Sequence, residues 1–230
     1  MNFQEGEVLL FDKPLYWTSF DLVNKIRIML RSTLGIKKIK VGHAGTLDPL
    51  ATGLMIICTG KFTKKIDEFG NLDKEYIATI HLGETTPSFD LETEPDVKYP
   101  IEHITLEKVQ EVLKDFLGEK EQMPPMYSAK YIDGKRAYEY ARKGVDKKLE
   151  PVRVFFRDIE LIYFKLPDVR VRLSCSKGTY IRSFARDFGK ALGSGAYLSS
   201  LQRSSIGPYG LKGSWDVEKF QLFLQQMKQT

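Results

Sequence analysis

"KVGHAGTLDPLATGLMIICTGKFTK", residues 40 to 64, holds the reading that decides the fold. Its later part, "GLMIICTG", is an unbroken apolar run of strand length closed by glycine, the pattern of a buried strand. Its earlier part bends: Gly42, Gly45, Gly53 and Pro49 surround one acid, Asp48, and one histidine, His43. A carboxylate on such a turn, feeding straight into a buried strand, can face a pocket. Aspartate before proline is also an ordinary turn former, so both uses of Asp48 stay open on these residues alone. The stretch is not a nucleotide-binding loop: six residues lie between Gly53 and Gly60, and Lys61 is followed by Phe62 where Ser or Thr is required. The chain also lacks the G-x-S-x-G elbow of a serine hydrolase.

Working outward, "EVLLFDKP" reads as a short strand stopped by Pro14. "TSFDLVNKIRIML" reads as a helix capped by Thr18 or Ser19, with Leu22, Val23, Ile26, Met29 and Leu30 at helical spacing. Downstream, "EYIATIHLG" alternates, so Tyr76, Ala78, Ile80 and Leu82 share one face and Ile77, Thr79 and His81 the other. A helix is predicted over 105 to 117, capped by Thr105 and stopped by Gly118, with Val109, Val112, Leu113, Phe116 and Leu117 inward. Residues 118 to 150 change character: rich in Tyr, Lys and Arg, with turn signals at Pro124-Pro125 and Asp133-Gly134, they read as a mobile arm. "VRVFFRDIELIYFK" and "DVRVRLSCSKG" are further strands. "TYIRSFARDFGKALG" is a helix whose stripe is Ile181, Phe184, Ala185, Phe188 and Leu192. Strands and helices mix without regular βαβ spacing, which predicts an α+β fold with a largely antiparallel mixed sheet flanked by helices.

A chain of 230 residues fits one domain with a sizeable core. The N-terminus lacks a leader pattern, and no stretch approaches the ~20 apolar residues of a membrane span, so a cytoplasmic protein is expected. Two cysteines, Cys58 and Cys175, lie in strand-like segments and the three histidines are scattered, which argues against a disulfide framework and against a zinc site. The net charge of +5 is unevenly placed. Residues 124 to 153 carry eight Lys/Arg against four acids and residues 170 to 190 six against one, whereas 84 to 96 hold five acids and no base. That segregation suits a polyanion-binding face with an acidic region elsewhere, and equally a set of solvated surfaces.

Read alone, Tyr76 is a core residue of its strand, Arg182 a surface charge one position off its helix stripe, and His43 a packing residue of the turn. A resemblance changes their weight. "KVGHAGTLDPLATGLMIICTGKFTK" resembles the signature of the tRNA pseudouridine synthase B (TruB) family, which isomerises uridine 55 in the T loop of tRNA. "LLFDKPLYWTS" resembles the family's N-terminal motif, "EYIATIHLGETT" its tyrosine-bearing strand, and "QMPPMYSAKYIDGKRAYEYARKG" its RNA-gripping thumb. "VRLSCSKGTYIRSFARDFG" with "GAYLSSLQRSSIGPY" resembles its arginine-bearing region. In this order the motifs cover roughly residues 6 to 210.

The resemblance implies the pseudouridine synthase fold, a single catalytic domain over 1–230 with a thumb insertion at about 120–150, and the family's usual monomer. The chain ends about 20 residues after the last motif, so no C-terminal RNA-binding domain of the PUA type is expected. Asp48 matches the catalytic aspartate, Tyr76 the tyrosine that stacks on the target uracil, and Arg182 the arginine that pairs with the aspartate. His43 matches the histidine that helps displace the base, Tyr180 and Leu201 pocket residues, and Lys13 and Pro14 a motif supporting the active-site loop. Lys130, Arg136, Arg142 and Lys143 fall in the thumb and are the expected contacts to a tRNA T-arm stem-loop. The reaction exchanges a bond from uracil N1 to ribose C1′ for one from C5, with no atom gained or lost, so no cofactor and no metal are expected. A carboxylate can serve as nucleophile or as base at C2′, and a neighbouring guanidinium favours its ionised form. Tyr16 stands where the family usually has glycine, a departure that touches the local turn. An idle tRNA-binding protein and a synthase acting on another RNA stay open as alternatives.

Overall fold

The computed structural model describes residues 1–145 and 147–229; Asp146 of the arm lies outside them. In chain order the elements are β1 (Val8–Lys13), α1 (Ser19–Leu34), β2 (Val41–His43), β3 (Ala51–Thr59), a 3-10 turn (Gly60–Lys65), α2 (Ile66–Gly70) and β4 (Lys74–Leu82). They continue with β5 (Glu84–Thr85), β6 (Val97–Lys98), α3 (Leu106–Asp115), β7 (Gly118–Gln122), β8 (Tyr131–Ile132), β9 (Lys135–Arg136) and α4 (Ala137–Ala141). The last are β10 (Val152–Lys165), β11 (Asp168–Cys175), α5 (Ile181–Ala191), β12 (Ala196–Ile206), β13 (Tyr209–Gly210) and α6 (Val217–Gln229). The chain divides into two compact units, Met1–Tyr76 with Leu201–Thr230, and Ile77–Ser200, so it passes between them inside β4 and inside β12.

The first unit is built on β3, which is buried along its length except at Thr52. It pairs antiparallel with β1, from Val8 opposite Cys58 to Lys13 opposite Gly53, and with β2. It pairs parallel with the end of β12, Leu201 lying opposite Ala51 and Arg203 opposite Gly53. α1 has the expected cap: Thr18 Oγ1 accepts from the Asp21 N–H and the Asp21 carboxylate accepts from the Thr18 N–H, a reciprocal box that satisfies two helix-end donors. Its buried stripe is the one predicted, Leu22, Val23, Ile26, Met29 and Leu30. α6 packs with α1 and places Phe220 edge-on against Phe11 of β1 at 5.1 Å between ring centres.

In the second unit the strand order is β4-β11-β10-β7. β10 pairs antiparallel with β11 and with β7, and this unit's part of β4 buries alternate residues, Ala78, Ile80 and Leu82. Phe116 after α3 packs edge-on against Phe184 and Phe156, and Phe184 stacks on Phe188 within α5. The mixed, largely antiparallel sheet with flanking helices is the architecture the pattern predicts. Two expectations are corrected. Leu117, expected inward, is 40% exposed, because the helix ends at Asp115 and the next residues turn at Gly118, whose φ is 84°. The arm is folded locally: β8 and β9 form a hairpin that runs into α4, and Ala137 and Leu149 are buried. Among the described residues no helix is long and apolar enough to cross a membrane.

Candidate active site

In the first unit, nearly every residue around Asp48 is held by its backbone. The Ala44 N–H donates to the Ile56 carbonyl at 2.9 Å and the Ala51 N–H closes the turn on the Asp48 carbonyl at 3.1 Å. Ser19 grips Leu47 reciprocally: the Leu47 N–H donates to Ser19 Oγ at 2.8 Å and the Ser19 hydroxyl donates to the Leu47 carbonyl at 3.0 Å. The Pro49 carbonyl accepts from the Tyr16 N–H at 2.8 Å. Gly45, at φ 103°, takes a turn that L side chains rarely adopt.

Two buried cations complete the frame. Arg203, 1% exposed, donates from Nε to the Leu54 carbonyl at 2.7 Å, from Nη1 to Thr46 at 3.3 Å and from Nη2 to Gly45 at 3.2 Å. Its strand needs the neighbouring glycine, since a Cβ on Gly53 would lie 2.3 Å from the Arg203 carbonyl oxygen. Lys13, fully buried, donates from Nζ to the Trp17 carbonyl at 2.6 Å, to Pro14 at 2.9 Å and to Pro49 at 3.5 Å. Burial lowers its pKa from 10.5 to about 8, the Asp48 carboxylate opposing that fall and Arg203 adding to it. Burial also pushes His43 below the ordinary histidine value, with the Gly45 backbone opposing the fall and Arg203 adding to it, so the neutral ring is favoured at pH 7. His43 Nδ1 is buried with no hydrogen-bond partner. Asp48 itself is half-buried. Leu201 is buried beside the end of its turn, opposite Ala51, and Tyr76 is buried where this unit's part of β4 ends.

The second unit carries the remaining predicted residues. Tyr180 caps α5, and the Gln122 amide holds it from both sides, accepting from the Tyr180 N–H at 2.8 Å and donating to its carbonyl at 3.1 Å. Arg182 lies in the first turn of α5, where a cation runs against the helix dipole. An acid offsets this: Asp90 Oδ2 is 3.5 Å from Arg182 Nε, both side chains are buried, and Arg182 also donates to the Ser88 carbonyl at 3.3 Å. The reading of Arg182 as a surface charge is thereby overturned.

On the arm, Arg136 stacks over Tyr131 at 3.9 Å and Arg142 over Tyr138 at 5.2 Å. Lys130 donates to the Glu150 carbonyl, Arg142 pairs with Glu92 at 2.9 Å, and Lys143 is exposed. The acidic segment is therefore no separate region: Asp90 and Glu92 answer Arg182 and Arg142. Sequence reasoning missed Arg203, Asp90 and Gln122, and read Ser19 only as a helix cap. Only Arg203 left a signal, a charged residue inside a stretch otherwise fit for a strand.

A family model described as TruB family pseudouridylate synthase (N terminal domain) matches residues 31–181. The chain is 59% identical over 228 residues to a tRNA pseudouridine synthase B of Phocaeicola vulgatus, covering 99% of this chain and 97% of that protein. It is 58% identical over 226 residues to one of Parabacteroides distasonis, covering 98% and 96%. A solved H/ACA RNP bound to a substrate RNA containing 2'-deoxyuridine aligns with a TM-score of 0.71 at 26% identity, over 99% of this chain but 56% of that one, little more than half its length.

The lowered Lys13 value sets a pH dependence. The unfolded chain holds this proton up to about pH 10.5 and the folded chain only to about pH 8, so between these values the unfolded state binds more protons and folding gains stability as pH rises. Denaturant unfolding of wild type and Lys13→Met, compared at pH 7.5 and 10.5, is expected to shift in favour of wild type by about 2 to 3 kcal/mol. A pH-independent difference contradicts it.

Proposed function

The chain belongs to the TruB family of pseudouridylate synthases, and from that premise we propose that it isomerises uridine 55 in the T loop of tRNA to pseudouridine, with Asp48 as the catalytic carboxylate. The observation that carries the reading is the loop: Ala44, Gly45, Thr46, Leu47 and Pro49 are each fixed by hydrogen bonds around the one acid, Asp48. A turn former alone has no use for that frame. A group that must meet a reacting carbon does, because misplacement is costly in rate.

The substrate uridine first leaves the loop stack, at a cost of a few kcal/mol. Stacking on Tyr76 returns about 1 to 3 kcal/mol, and the neutral ring of His43 takes part in displacing the base. Asp48 acts beside C1′ and C6, as nucleophile or as base at C2′, while the N1–C1′ bond breaks. The ring turns, C5 joins C1′, the C5 proton leaves to a base, for which Tyr76 is the candidate, and the freed N1 takes up a proton. Arg182 takes the role of the family's arginine that favours the ionised carboxylate, and Asp90 keeps its guanidinium in place. Tyr180 and Leu201 take the family's roles as residues that receive the flipped nucleotide. Atoms and electrons balance within the substrate, so the reaction calls for neither cofactor nor metal. The T-arm stem-loop lies on the arm, Lys130, Arg136, Arg142 and Lys143 meeting its phosphates. Residues 1–230 work as one catalytic domain with the thumb at about 120–150, as a monomer in the cytoplasm.

Asp48→Asn keeps the side-chain shape and removes the charge. Mapping pseudouridine by carbodiimide primer extension on transcribed tRNA is expected to find none formed, with RNA affinity retained. Turnover within about tenfold of wild type, about 1.4 kcal/mol of barrier, would rule Asp48 out. Replacing Lys130, Arg136, Arg142 and Lys143 together by alanine is expected to raise the Michaelis constant for a T-arm hairpin and flatten its salt dependence, since fewer counterions are released. Turnover at saturation should stay near wild type. An unchanged salt slope would remove the arm from RNA binding.

A further inference from the structure

The turn between β1 and α1 holds a residue out of place. Tyr16 has φ 67°, in the left-handed region that favours glycine and is an outlier for a bulky side chain. Its ring repays nothing by packing, being 75% exposed. Leu15, 42% exposed, precedes it, and Phe20, 65% exposed, stands on the first turn of α1, so three apolar side chains face solvent within six residues. A strained conformation that serves no packing points to a use outside the folded chain.

What lies beside the turn identifies the use. The Tyr16 N–H donates to the Pro49 carbonyl at 2.8 Å, one residue after Asp48, and Lys13 holds the Pro14 and Trp17 carbonyls on either side. The ring is thus rooted on the backbone of the catalytic loop. A nucleotide placed on Asp48 is part of a strand, so the nucleotides flanking it must pass close to this turn. Exposed aromatic faces near a polynucleotide stack on bases, and every base offers such a face. We infer that Tyr16, flanked by Phe20, is a stacking surface for a base of the substrate RNA next to the reacting uridine. This rests on the proposed function. The strained backbone presents the ring; glycine would relax the turn and present nothing.

Three variants separate ring from backbone: Tyr16→Phe keeps the ring, Tyr16→Ala keeps the strain without it, and Tyr16→Gly removes both. With a T-arm hairpin, the expected Michaelis constants are near wild type for Phe and about 5- to 100-fold higher for Ala and Gly, with turnover at saturation little changed. The Gly variant should melt above the Ala variant. A set of hairpins lacking one loop base at a time is expected to contain one position whose omission weakens wild type but not Tyr16→Ala. Michaelis constants of Ala and Gly within twofold of wild type, or abasic penalties equal in wild type and Tyr16→Ala at every position, overturn the stacking surface, including in favour of a protein contact there. If wild type isomerises no hairpin at all, the proposed function fails together with it.

Discussion

A fully buried guanidinium is the constraint on which the first unit's chemistry depends. Desolvating a charge costs several kcal/mol, and Arg203 offsets it by donating to carbonyls of Leu54, Thr46 and Gly45. Each charge-assisted bond returns about 1.5 to 3 kcal/mol. Because those carbonyls belong to two stretches on either side of Asp48, the same bonds that make Arg203 tolerable fix the entry and exit of the loop. Lys13 repeats the device from β1, reaching Pro14, Trp17 and Pro49. The loop is held by two strands and by the first residue of α1, Ser19, and leaves little freedom to the turn that carries the acid.

The same arrangement makes the local field. Arg203 lies close enough to depress both Lys13 and His43, while Asp48 is the largest charge opposing the fall of Lys13. A neutral histidine, a carboxylate and two buried cations thus share one small region. The second unit handles its cation differently: Arg182, set against a helix dipole, is met by a buried acid. In one unit backbone carbonyls satisfy the charge, in the other a carboxylate does.

Much of this was legible because it is local. The cap at Thr18, the α1 stripe, the buried run of β3, the alternation of β4 and the stripe of α5 are set by spacings of two to four residues, which a sequence displays directly. Leu117 was misread because periodicity does not show where a helix stops. β2, β7, β12 and α6 went unpredicted; β2 is three residues long, β7, "GEKEQ", is charged and β12, "AYLSSLQRSSI", is broken by Ser, Gln and Arg, so none of these strands displays an apolar pattern. The partners of the site were illegible for a different reason. Arg203 meets Thr46 and Gly45 across 157 and 158 residues, and Arg182 meets Ser88 across 94. A single sequence shows a charge in a strand but not the carbonyl that makes it tolerable. Tyr76 and Arg182 were singled out only by resemblance to a family, and Asp48, marked by its glycine-rich turn, took a catalytic role only through that resemblance.

Turnover depends on the positioning of the loop by Arg203, and the variant Arg203→Lys puts that dependence to the test. Lysine keeps the charge but cannot reach three carbonyls with one planar head. Single-turnover isomerisation of a saturating T-arm hairpin, at a temperature where circular dichroism shows the variant folded, is expected to slow by at least about tenfold, or 1.4 kcal/mol of barrier, with hairpin affinity kept. A wild-type rate in the folded variant would contradict it.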